Sequence, residues 1–206
     1  MNIDPIVYVV DDDPAVLKAL TRLLQADGHV TQTFSSPHQF LAAHDPAVPG
    51  CLVLDLCMPD SNGLALQQAL LESGSERFII FITGHGDVVD SVQAMKAGAV
   101  DFLTKPVHDE SFLAAVRNAI EKDEGARSMR QRRQAIRCRM ETLTPREHQV
   151  LRHVVAGRLN KQIAADLGTA EKTIKVHRAR AMEKMGATSL AELVRITVAA
   201  DAENPG

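Results

Sequence analysis

Five short apolar runs in the first 120 residues constrain the architecture more than any other feature. Ile6–Val10, Val30–Phe34, 51–56, Phe78–Thr83 and Asp101–Thr104 are rich in Val, Ile, Leu and Phe, and most of them carry hardly a polar residue. A strand apolar on both faces needs cover on both faces. The cover lies between the runs. Val16, Leu17, Leu20, Leu23 and Leu24 recur at helical spacing before Gly28, and further helices are predicted over Pro37–Ala43, 63–71, 88–97 and 111–122. Strands alternating with helices form parallel βαβ units, so the first 121 residues are expected to fold as an open five-stranded α/β sheet.

Beyond Ile120 the character changes. K-D-E-G-A-R-S-M-R-Q-R-R-Q-A-I-R-C-R-M-E is polar, basic and free of proline, and residues 122–143 read as a linker that is helical for part of its length. From Thr144 the signals are purely helical. T-P-R-E is a capping box with proline at the first helical position, opening a helix that ends at Gly157. Asn160 is expected to cap a helix over 160–167, Thr169 to cap a longer one over 169–185, and 189–200 forms a fourth. The expected organisation is a domain over 1–121, the linker 122–143, and an all-α four-helix domain over 144–206.

Charge divides at the same place. Residues 1–121 hold six Lys and Arg against sixteen Asp and Glu, a net −10, whereas 122–206 hold seventeen against ten, a net +7. Such opposite halves fit an acidic, metal-binding domain joined to one drawn to a polyanion. Cys51, Cys57 and Cys138 are odd in number and lack metal-ligand spacing, which points to a reducing compartment. No apolar stretch is long enough to span a bilayer, and residues 1–5 do not read as a signal peptide. The expected location is the cytoplasm, with no membrane partner.

The first strand runs directly into D-D-D-P. Asp13, before Pro14 and a helix, suits an N-cap. Asp11 and Asp12 remain, together with Asp55 on the third strand, Thr83 ending the fourth and Lys105 after the fifth. In open α/β sheets ligands bind outside the carboxyl ends of the strands. Clustered carboxylates need a cation, and an all-oxygen set suits Mg²⁺ or Mn²⁺. A hydroxyl and an ammonium facing the same point suit phosphoryl oxygens, and a central carboxylate can be the nucleophile. Singly, Asp55 reads as a strand-end turn residue, Thr83 as a core hydroxyl, Lys105 as surface and Phe102 as core. Their joint order favours the chemistry. A rival reading takes D-x-D as a dehalogenase-type phosphatase, with Asp11 as nucleophile and Asp13 as acid, but leaves D-L-C-M-P without a role.

Taken together, D-D after the first strand, D-x-x-M-P around Asp55, I-T-G-H-G-D and A-G-A-V-D-F-L-T-K-P resemble a response-regulator receiver domain over nearly all of residues 5–121. That resemblance implies flavodoxin-like strand order 2-1-3-4-5, with Asp55 as phosphoacceptor. Mg²⁺ would be held by Asp11, Asp12, Asp55 and the backbone carbonyl of Cys57, with Thr83 and Lys105 binding the phosphoryl group. Phe102 would swing inward as Thr83 moves, and a cis peptide is expected before Pro106. His85 is a candidate influence on acyl-phosphate hydrolysis, and the Cys57 thiol a candidate redox group or an incidental side chain.

In the C-terminal part, Ile174, Ala181, Met182 and Met185 share one helical face, while Lys172, Thr173, Val176, Ala179 and Arg180 point away, with Lys175 at the edge. Basic residues around an exposed valine suit a major groove, where an apolar group can meet a thymine methyl. A helical protein-interaction module is the alternative. L-T-P-R-E-x-x-V-L, G-R-x-N-K-x-I-A and K-T-I-K-V-H-R resemble a LuxR-type (NarL/FixJ) helix-turn-helix over about 140–200. The resemblance implies that 169–185 is the recognition helix, with Lys175 and Val176 at positions that reach base edges. Lys161, Lys172, His177, Arg178 and Arg180 are candidates for phosphate contacts or for bracing the helix, and Thr173 is a further DNA-binding candidate. The implied partners are a sensor histidine kinase, double-stranded DNA, and a second copy joined on phosphorylation through helix 88–97, strand 101–104 and helix 111–122. RNA polymerase is a further candidate partner. The whole reads as a phosphorylation-controlled transcriptional regulator rather than an enzyme.

Overall fold

A computed structural model describes residues 4–59, 61–84 and 88–201, so His85 lies outside the described residues. The chain divides into two compact units, 1–127 and 128–206.

In the first unit, β1 (Ile6–Val10), β2 (Val30–Phe34), β3 (Gly50–Asp55), β4 (Phe78–Thr83) and β5 (Asp101–Thr104) form a five-stranded sheet. Every pairing is parallel and the order is 2-1-3-4-5. Alternation along the strands fills two cores. Val7, Val9, Val53, Ile80 and Ile82 face Leu20 and Leu24 of α1 (Pro14–Ala26) and Phe112, Val116 and Ala119 of α5 (Asp109–Glu141). Tyr8, Val10, Leu52, Leu54 and Phe81 face Phe40 of α2 (Pro37–Ala43), Leu66 and Leu70 of α3 (Gly63–Glu72) and Ala94 of α4 (Val88–Lys96). The two-residue side-chain period divides each strand between the layers. Gly50 starts β3 because its φ is +131° and a Cβ there would stand 1.9 Å from the Ile6 carbonyl oxygen.

In the second unit, α6 (Pro145–Val155), α7 (Asn160–Asp166), α8 (Glu171–Met185) and α9 (Leu190–Asp201) enclose Val150, Leu151, Val154, Ile163, Ile174, Ala181, Met185 and Leu193. The helix expected over 111–122 instead runs from Asp109 to Glu141. Its last turns belong to this unit: Ile136 is buried in its core and Met140 packs against it, as does Leu143 just beyond the helix. The dense arginines around these three residues hide their apolar spacing in the sequence.

Two helix starts differ from expectation. Asn160 is the first residue of α7 rather than its cap. The Leu159 N–H donates to Gln162 Oε1 at 2.9 Å, while Asn160 Oδ1 accepts from Arg178 Nη1 at 3.2 Å. Thr169 does not cap α8, whose cap position is Ala170. The Thr169 N–H is drawn back to the Ala164 carbonyl, closing α7, and so belongs to the preceding turn.

The T-P-R-E capping box forms as read. Glu147 accepts from the Thr144 N–H at 2.9 Å and from Lys184 Nζ at 2.7 Å, and is buried. The Lys184 ammonium, aided by the Thr144 N–H, holds the Glu147 carboxyl down at about 2. A depressed carboxyl contributes stability above its unfolded value, and that stability is lost as pH falls toward the folded one. Glu147→Gln should therefore lower the melting temperature of the second unit at neutral pH. The gap between variant and wild type should close as pH falls from about 4.5 to about 2. Melting curves across that window check this, and a gap that stays constant with pH would contradict it.

Candidate phosphoryl and DNA sites

β1 and β3 are neighbours, with Val10 opposite Leu54, so the residues that follow them, Asp11 and Asp55, meet at the carboxyl edge where the strand order reverses. Asp13 is spent elsewhere: its side chain caps α1, accepting from the Ala15 N–H at 2.8 Å. Asp13 also donates its own N–H to Asp11 Oδ1 at 2.9 Å, which helps orient that carboxylate. Asp11, Asp12 and Asp55 each place a ligand oxygen within 4.8 Å of the others, the one such acidic group among the described residues. Asp11 and Asp55 are buried and Asp12 is exposed, so the cluster opens to solvent on one side.

Lys105 reaches in from the end of β5. Its Nζ lies 2.7 Å from Asp11 Oδ2 and 3.3 Å from Asp55 Oδ2. Its backbone is fixed by an N–H donated to the Thr83 carbonyl at 2.7 Å, and the Lys105–Pro106 peptide is cis. Thr83 ends β4 fully buried, with Thr104 as its register partner. On the other flank Gly63 seats α3 closely: a Cβ there would stand 2.6 Å from the Asp55 carbonyl oxygen. Cys57 pairs with Asn62 in a short antiparallel ladder beside Asp55, and its thiol is exposed.

Burial raises the Asp55 carboxyl above its usual range, and the Asp11 charge adds to this against the pull of Lys105. Burial lowers Lys105, but its bond to Asp11 and the charges of both aspartates outweigh it, so the ammonium is held charged. One ammonium cannot neutralise three carboxylates. Asp55 Oδ1 is buried without a hydrogen-bond partner. Such a deficit of positive charge around oxygen donors fits a divalent ion of the Mg²⁺ or Mn²⁺ kind.

Phe102, half-buried, sits 6.3 Å from Phe81 between ring centroids. It lines a shallow depression with Ser91, Val92, Met95, Lys96 and Asp101. On α4, Val89, Val92 and Met95 are exposed, Val89 at 69%. One residue here escaped sequence reasoning. Gln67, buried on α3, donates from Nε2 to the Ala94 and Ala97 carbonyls at 3.2 and 3.3 Å, closing the C-terminal end of α4. Gln67 and Gln68 both stand between Leu66 and Leu70, so the sequence does not single Gln67 out.

On α8, Ile174, Ala181 and Met185 are buried and Met182 half-buried, while Lys172, Thr173, Lys175, Val176, Ala179 and Arg180 are exposed. Lys175 pairs with Glu171 at 3.1 Å across one helical turn. His177 and Arg178 are half-buried, and the bond from Arg178 to Asn160 ties α8 to the start of α7. Lys161 is exposed on α7.

A five-stranded parallel sheet with an acidic pocket at its carboxyl edge, followed by a helical domain exposing a basic helix, defines a two-domain signalling protein. Residues 7–117 match the family described as response regulator receiver domain, and 141–197 match bacterial regulatory proteins of the luxR family. The chain belongs to the response regulators, with a LuxR-type DNA-binding domain, and so to phosphorylation-dependent regulators of transcription rather than to enzymes. That sets the phosphatase reading aside.

Response regulator protein TodT of Pseudomonas putida is 45% identical over 192 residues, covering 93% of this chain and 85% of its own. Transcriptional regulatory protein FixJ of Rhizobium meliloti is 43% identical, covering 95% and 96%. Among solved structures, the response regulator StyR is 41% identical with a TM-score of 0.87 over 95% of this chain and 98% of its own. Full-length FixJ from B. japonicum is 39% identical with a TM-score of 0.60, over 98% and 100%. No helix among the described residues is long and apolar enough to cross a membrane.

Proposed function

We propose that Asp55 accepts a phosphoryl group from the phosphohistidine of a sensor kinase, and that this promotes dimerisation and DNA binding. The observation that carries the reading is the buried, unpartnered Asp55 Oδ1 beside Lys105. A carboxylate oxygen attacks phosphorus, the bond to the histidine nitrogen breaks, and an aspartyl phosphate forms. Lys105, already aimed at Asp55, offsets charge on the phosphoryl oxygens, and Thr83 binds another of them. Asp11, Asp12, Asp55 and the Cys57 carbonyl would hold the Mg²⁺, which when bound supplies charge neutralisation at the transferring group.

The switch follows from differential contacts. Phosphorylation shifts an equilibrium only as far as it favours one state over the other. Thr83, drawn to the phosphate, vacates space that Phe102 fills, which remodels the face formed by 88–97, 101–104 and 111–122. Exposed Val89, Val92 and Met95 give α4 an apolar surface suited to a second copy. Dimerisation then brings two recognition helices to paired half-sites. Lys175 and Val176 reach base edges; Lys161, Lys172, Thr173 and Arg180 contact phosphates; His177 and Arg178 brace the helix. RNA polymerase is a further proposed partner, and the cytoplasm the proposed location.

Labelling by acetyl phosphate tests the phosphoacceptor, and stability tests the metal. Mg²⁺ at 100 times its dissociation constant should stabilise the fold by about 2.7 kcal/mol. The resulting rise of several degrees in melting temperature should vanish in the Asp11→Asn/Asp12→Asn double variant. An equal rise in that variant would place the ion elsewhere.

A further inference from the structure

We propose that Gln67 is a positioning residue of the phosphorylation switch: it fixes the C-terminal end of α4, so that the helix pivots about that end when Asp55 is phosphorylated. This deepens the phosphoacceptor reading above and rests on it. Among the described side chains of α4, Ala94 alone is buried, at 0% exposed, and it sits in the core layer of Leu66, Leu70 and Phe81. Val89 and Val92, toward the other end, are exposed. Burial therefore fastens this helix at its last turn.

Gln67 adds a polar tie at the same place. Carbonyls at the end of a helix need partners from outside it. The turn after α4 supplies two: the Gly98 N–H donates to the Met95 carbonyl at 3.0 Å, and the Ala99 N–H to the Ala94 carbonyl at 3.1 Å. Neither bond serves the Ala97 carbonyl, which Gln67 Nε2 reaches at 3.3 Å while also donating to the Ala94 carbonyl at 3.2 Å. Gln67 is 3% exposed, and an amide so buried is costly unless bonded. Methionine would fill a similar space without that cost, so packing alone does not require the amide.

The tie also leads back to the phosphoacceptor. Gly63, one helical turn before Gln67, donates its N–H to the Leu56 carbonyl at 2.9 Å, and a Cβ there would stand 2.6 Å from the Asp55 carbonyl oxygen. A single turn of α3, about 6 Å along its axis, thus braces both the strand end bearing Asp55 and the end of α4. With that end held, movement of Thr83 and Phe102 becomes a swing of the half of α4 that carries Val89 and Val92.

The test is amide hydrogen exchange on the full-length protein with Mg²⁺, with and without acetyl phosphate. In wild type, phosphorylation should change exchange over residues 89–93 while the Gly98 and Ala99 amides keep theirs. In Gln67→Met those two amides should exchange about 5- to 10-fold faster, the worth of one hydrogen bond, and phosphorylation should now alter them too. Labelling of Asp55 should be unchanged in that variant. Ile80→Val, a mild change in the opposite core layer, should lower the melting temperature yet leave the Gly98 and Ala99 response as in wild type, which separates positioning from general loss of stability. A phosphorylated wild type whose Gly98 and Ala99 amides change as much as residues 89–93 overturns the pivot without recourse to any variant. A Gln67→Met protein that answers phosphorylation as wild type does overturns the role of Gln67. Absence of labelling at Asp55 in wild type overturns the phosphoacceptor reading itself, and the pivot with it.

Discussion

Asp55→Asn should reduce acetyl-phosphate labelling to background and, in the same protein, raise its melting temperature in the absence of divalent cations. The first effect follows from removing the proposed nucleophile. The second follows from the pocket. Burial, with the Asp11 charge beside it, holds the Asp55 carboxyl above its usual range, so the fold disfavours the ionised form. For a carboxyl raised by folding, stability falls as pH rises through the folded value. At neutral pH the ionised Asp55 therefore destabilises the metal-free fold, and asparagine removes that cost with little change in volume. Wild type should lose stability relative to Asp55→Asn as pH rises from strongly acid to neutral, and Mg²⁺ should narrow the difference. Labelling that persists in Asp55→Asn would move the acceptor elsewhere. Lost labelling with an unchanged or lower melting temperature would sink the electrostatic account of the pocket, leaving the chemistry intact.

The cluster at the carboxyl edge was legible because its members sit at strand ends. A near-continuous apolar strand such as F-I-I-F-I-T admits one reading in an α/β sheet, and parallel order then fixes which ends converge. Asp11, Asp55, Thr83 and Lys105 are thus brought together by strand order alone. Helix boundaries in the C-terminal part were less legible. Asn160 and Thr169 are good caps by residue type, yet Asn160 serves Arg178 and Thr169 closes α7. Both are decided by tertiary neighbours that local propensity does not contain. The length of α5 was hidden for another reason. Ile136, Met140 and Leu143 form a narrow apolar stripe within a strongly charged segment, so the average polarity of a linker masked a packed face. Gln67 was missed because its role depends on where α4 ends, and no pattern within α3 records that.

Lys175→Ala should weaken binding to the preferred operator by about 1–3 kcal/mol, roughly 5- to 150-fold, while non-specific affinity falls far less. Among the described residues Lys175 pairs only with Glu171, and both side chains are largely exposed, so little stability is lost when Lys175 turns to DNA. Val176 is 44% exposed on the same helix. Val176→Ser should relax preference at a single base pair rather than abolish binding, because a thymine methyl loses its apolar neighbour. Lys161→Ala should behave differently. A phosphate contact carries no sequence information, so affinity should drop by a similar factor on every duplex, and the salt slope should fall by about 0.9. Operator selection on randomised duplexes, followed by titration of each variant, separates these outcomes. If Lys175→Ala weakened all sequences equally, the base-reading assignment of α8 would be wrong and Lys175 would join Lys161 among the phosphate contacts.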